Sequence, residues 1–65
     1  MKVLYFEDTD TLYIEFRDAD ISETRELDED TLIDVDATGA VCAITFEHAS
    51  RRTDVNHLHV EGIAA

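Results

Sequence analysis

The chain has 65 residues, 16 of them Asp or Glu and 5 Lys or Arg, for a formal net charge of -11 and an apolar share of 45%. That length supports one domain over 1–65, and a chain of about 60 residues buries only roughly 60% of the surface its unfolded form exposes, which excludes a large enclosed active site. The charge argues against a nucleic-acid partner, because phosphate neutralisation needs clustered Lys and Arg and the only adjacent basic pair is Arg51-Arg52.

Lys2 to Glu7 (KVLYFE) reads as a first strand. It has neither the continuous apolar run of a signal peptide nor the roughly 20 apolar residues of a membrane span, so a soluble cytoplasmic protein with no membrane partner is expected. Glu7-Asp8-Thr9-Asp10 supplies a turn whose Asp side chains can bond nearby backbone. Thr11 to Arg17 (TLYIEFR) alternates cleanly, with Leu12, Ile14 and Phe16 on one face and Tyr13, Glu15 and Arg17 on the other. Tyr13 is thereby a candidate interface residue, with ordinary cross-strand pairing as the plainer account of it.

Asp18-Ala19-Asp20 turns the chain into Ile21 to Leu27 (ISETREL), whose sparse apolar content predicts an edge strand or a strand with one wet face. After Asp28-Glu29-Asp30, Thr31 to Asp36 (TLIDVD) resumes β-branched character, and Asp36-Ala37-Thr38-Gly39 reads as a hairpin loop with Gly39 in the left-handed conformation. Val41 to Glu47 (VCAITFE) follows, with Cys42, Ile44 and Phe46 on one face. The lone Cys42 excludes a disulfide framework and a multi-cysteine metal site, and on an apolar face it reads as an inert core thiol in a reducing compartment. As a nucleophile with His48 as base it would lack an orienting third group and an oxyanion site.

Five short β-branched and aromatic runs predict a mainly β (α+β) fold, an antiparallel β-meander over 2–47. A C-terminal element over 48–65 follows, with Ser50 expected to cap a short helix and the last residues extended or frayed.

Three stretches, KVLYFEDTDTLYIEF, ETRELDEDTLIDVDATG and ITFEHAS, carry a recognisable pattern. Its start is a Y-x-x-x-x-D-x-L-Y-I-x-F motif at Tyr5, Asp10, Leu12, Tyr13, Ile14 and Phe16, and its second half is the Asp36 to Gly39 turn and the Ile44 to Ser50 close. Over residues 2 to 50 the chain resembles the domain of unknown function 2283 family. The resemblance implies a β-meander packed by a short C-terminal element, and it implies no enzymatic activity. Association of such proteins with neighbouring toxin genes adds an antitoxin-like role by analogy.

Chemistry-bearing residues are few. His57 and His59 would share one side of an extended tail, where with Asp54 or Glu61 they could hold zinc or another divalent metal; on a helix they would diverge. Asp8/Asp10, Asp18/Asp20 and Asp28/Asp30 recur every ten residues, and alternate turns of a meander share an end of the sheet. They read as turn formers, since none has the D-x-D-x-D-G calcium pattern. No glycine-rich phosphate loop occurs, and no cofactor is called for. A short open sheet cannot cover both its faces, so the leading expectation is a non-enzymatic interaction module that forms a homodimer, with Tyr13, Leu58 and Val60 as candidate contacts. An acidic antitoxin-like protein neutralising a basic protein partner and a divalent-metal binder through His57 and His59 are the alternatives.

Overall fold

The computed structural model describes residues 1–57. Five strands form one antiparallel sheet: β1 (Lys2–Phe6), β2 (Thr11–Glu15), β3 (Glu23–Asp28), β4 (Thr31–Val35) and β5 (Val41–Phe46). The strands are those that the alternation of apolar and polar residues predicts, shortened by a residue or two at their ends, except that β3 starts two residues later and runs one residue further, through Asp28. No α-helix is present among the described residues. The helix expected from Ser50 is replaced by two 3-10 turns, Ala49–Arg51 and Val55–His57. Ser50 lies inside the first turn rather than capping it, and the capping position falls to His48, whose φ is 52°.

The order of strands differs from a meander. It runs β1-β2-β5-β4-β3, so β5 is inserted between β2 and β4 while β3 occupies the far edge. Burial explains the choice. β5 buries Cys42 on one face and Ala43 on the other, so it needs neighbours on both sides, whereas all six residues of β3 are exposed. A sequential meander would have placed polar β3 in the centre and left apolar β5 at an edge. The connection over 16–22 therefore crosses the ends of β5 and β4. It is held there by Phe16 N–H donating to the Cys42 carbonyl at 2.7 Å, Ser22 N–H donating to the Val35 carbonyl at 2.9 Å, and an Arg17–Asp36 ion pair.

Register aligns the core. Leu12 faces Phe46, which faces Thr31; Ile14 faces Ile44, which faces Ile33. These residues, with Cys42 and Val35, form one face, and Leu12, Thr31, Val35 and Cys42 are its buried members. Ala49, from the first 3-10 turn, is also fully buried. The opposite face carries Leu4, Tyr13, Thr45 and Leu32 in one row. The shortest dimension is 17 Å, and among the described residues the sheet has only Ala49 and the turns around it laid against one end.

Candidate functional site

Strand direction decides which loops meet. β1, β3 and β5 run the same way because each is antiparallel to the strand or strands between them, so the 7–10 turn, the 29–30 turn and the chain leaving β5 share one end of the sheet. The 36–40 hairpin and the 16–22 crossover share the other.

At the first end two aspartates hold the segment that follows β5. The Asp10 carboxylate accepts the Tyr5 hydroxyl at 2.6 Å, the Ser50 hydroxyl at 2.7 Å and the Ser50 N–H at 3.1 Å. The Asp10 carbonyl accepts the Ala49 N–H at 3.0 Å. From the other flank the Asp30 carbonyl accepts the Glu47 N–H at 2.8 Å, and Asp30 Oδ1 lies 2.7 Å from His48 Nδ1. Asp10 and His48 are the two non-glycine residues with positive φ among those described, at 54° and 52°. Short polar side chains tolerate that backbone best, and each here gains a long-range partner in return.

Electrostatics follow from these bonds. The Tyr5 hydroxyl bond, then those from Ser50, hold the Asp10 carboxyl below its ordinary range, while the same bond pushes the Tyr5 phenol up to about 12. Asp28 is also lowered, first by the Asp30 N–H that donates to it at 2.9 Å. Beside them the Arg52 guanidinium stands 4.9 Å from the Phe46 ring centre and donates to the Thr31 hydroxyl. Under it lies a concavity of about 290 Å³ lined by Leu12, Phe46, Ala49, Arg52 and Thr53.

At the other end the hairpin turn is closed by its own residues, with Arg17 of the crossover paired to its Asp36. Asp36 Oδ1 accepts the Thr38 N–H, the Thr38 hydroxyl and the Ala40 N–H at 2.9, 2.6 and 3.0 Å, and Gly39 has φ 85°, as the turn pattern predicts. The Thr38 hydroxyl is the largest reason the Asp36 carboxyl falls to about 2.

The residues singled out from sequence are placed as follows. Tyr13 lies in β2, half-buried beside Leu4 and Thr45, with its hydroxyl donating to Glu15 at 3.2 Å; burial first, then Glu15, raises its phenol. His57 ends the second 3-10 turn, where its Nδ1 lies 2.6 Å from Asp54 Oδ2. His59, Leu58 and Val60 lie outside the described residues. Among the described residues no three His, Cys, Asp or Glu side chains gather as metal ligands. Cys42 is fully buried, and its thiol donates to the Ala40 carbonyl at 3.6 Å.

The Asp10–Ser50 and Asp30–His48 links are not among the contacts that residue order predicts. Their signal is the ten-residue recurrence of the Asp pairs, which puts the first and third, Asp8/Asp10 and Asp28/Asp30, at one end of the sheet; the segment 48–50 fills the space between them. This arrangement draws on Tyr5, Asp10, Leu12 and the Ile44 to Ser50 close together. A family model described as Protein of unknown function (DUF2283) matches residues 2–50, a span that ends on the serine held by Asp10. The chain belongs to this family. No curated protein and no solved structure shows significant similarity to it. The DUF2283 match covers the sheet and the first residues of the clamp, and leaves Arg51 onward outside it.

Proposed function

We propose that this DUF2283 protein is a non-enzymatic interaction module that works by self-association. The observation that carries the reading is a single sheet whose two faces both retain half-exposed apolar side chains. Leu4 and Phe6 keep 40% and 47% of their surface on one face, while Ile14, Ile33 and Ile44 remain only half-buried on the other. A second copy is the simplest cover for such a surface. The polar groups at the clamped end bond one another, and no buried side-chain polar atom among the described residues lacks a partner, so that chemistry is committed to holding the fold.

The buried lone thiol accords with a reducing, cytoplasmic setting. Among the described residues no helix is long and apolar enough to cross a membrane. Sedimentation equilibrium of the full chain at physiological salt tests the reading. The expected mass is twice the 7.4 kDa of one chain, and a single-chain mass at every concentration would overturn it.

A further inference from the structure

The two edges of the sheet are not equivalent. β3 presents Glu23, Arg25, Glu26 and Asp28 and is interrupted by a bulge between Glu26 and Asp28, two devices that discourage strand pairing. β1 presents Val3, Leu4, Tyr5 and Phe6 with an unbroken register against β2, and among the described residues it pairs with β2 alone.

Hydrogen-bond alternation shows which backbone groups of β1 face outward. Phe16 N–H donates to Cys42 across the β2–β5 side, so the even-numbered residues of β2 bond β5 and the odd-numbered ones bond β1. Thr11, Tyr13 and Glu15 are paired with Phe6, Leu4 and Lys2. The amides of Lys2, Leu4 and Phe6 therefore point into the sheet, and those of Val3 and Tyr5 point out.

We infer that β1 is the self-association edge, pairing antiparallel with β1 of a second copy about a two-fold axis at Leu4. This rests on the self-association reading and places the contact at the sheet's edge, where the exposed Leu4 and Phe6 meet the second copy, rather than across a face. The register follows from the outward groups: Val3 of each copy bonds Tyr5 of the other in both directions, which uses every outward amide between Lys2 and Phe6. Leu4 meets Leu4 as the non-hydrogen-bonded pair, the closer of the two pair types, on the face where Leu4 and Phe6 are exposed.

Charge selects a second copy as the occupant. None of the 16 carboxylates lies in residues 1–6, so this is the edge at which two chains of net charge -11 can approach. The strand also carries opposite charges at its two ends, with Lys2 at its start and Glu7 and Asp8 just past its end. Antiparallel pairing sets Lys2 of each copy across from Phe6 and beside Glu7 of the other, so attraction occurs twice by symmetry; parallel pairing would place like charges together.

Val3→Pro tests this without disturbing β1–β2, because proline removes an outward N–H only and is tolerated at such an edge position. Leu4→Lys puts two cations at the axis on a side chain already exposed. Leu27→Lys on β3 serves as the control. Sedimentation over concentrations up to the millimolar range should show a dimer for wild type and Leu27→Lys. Val3→Pro and Leu4→Lys should each weaken it at least about tenfold with the circular dichroism spectrum unchanged, since Val3→Pro alone removes two backbone bonds per dimer. Amide exchange at Tyr5 should slow as wild-type concentration rises.

A dimer that survives both β1 substitutions would overturn the edge and leave self-association standing through another surface. A wild-type monomer throughout would overturn both, and a monomer with a protected Tyr5 amide would show that the chain's own residues occupy the edge. If Val3→Pro alters the fold, Leu4→Lys decides.

Discussion

The two ends of the sheet use the same residue type in opposite ways. Asp36 secures its hairpin with groups two and four residues along the chain, whereas Asp10 reaches a serine 40 residues away. The local device makes the turn, and the same carboxylate pairs with Arg17 of the crossover only after β2 and β4 have set that segment beside it. The distant one decides where the chain goes after β5, and with Asp30 it ties both hairpins to one segment. Identical chemistry thus serves local geometry at one end and topology at the other.

Acid should loosen both ends at once and is the largest expected effect. Asp10, Asp28 and Asp36 have folded-state pKa values below the unfolded ones, so their contribution is present above the ordinary carboxylate range and is lost as pH falls through the folded values. Thermal melts should hold level at pH 6 to 5 and drop steeply toward pH 2. Tyr5 behaves in the opposite sense: its raised pKa gives a contribution present below its ordinary value of 10 and lost as pH rises through about 12.

Core and clamp can be separated by substitution. Leu12→Ala removes the floor under Ala49 and Arg52 and should cost about 2–3 kcal/mol in denaturant unfolding. Asp10→Ala should come next, lowering the melting temperature and speeding amide exchange at Ala49 and Ser50 while Thr38 and Ala40 stay protected. Equal loss of protection at both ends would erase the distinction between them. Gly39→Ala, at a φ of 85° with open space around the added methyl, should cost about 1 kcal/mol from backbone conformation alone and leave the 48–52 segment untouched. Salt should have the smallest effect: raising it from low to moderate should lift the melting temperature by screening a net charge of -11, and a flat or falling curve would contradict that.

Several of these features were legible in residue order. Leu12, Ile14 and the β-branched runs announced strands, and Asp36 to Gly39 announced its turn, because a side chain two residues from an amide has few other choices. The polarity of ISETREL also pointed to an edge, which is incompatible with the central place a sequential meander would give it. Ser50, in contrast, reads as a helix cap and Tyr5 as a residue of the first strand until β5 brings Ser50 beside Asp10.

The sequence by itself determined the mainly β class, the strand set, the local Asp36 turn and the buried place of Cys42. Period-two alternation and short-range carboxylate bonding are properties of neighbours in the chain. Only the tertiary structure decided the strand order, the clamp of Asp10 and Asp30 on residues 47–50, and the contrast between a charged, bulged β3 edge and an apolar β1 edge. Those depend on which of several compatible strands bury most together, a choice made by the whole sheet rather than by any one segment of it.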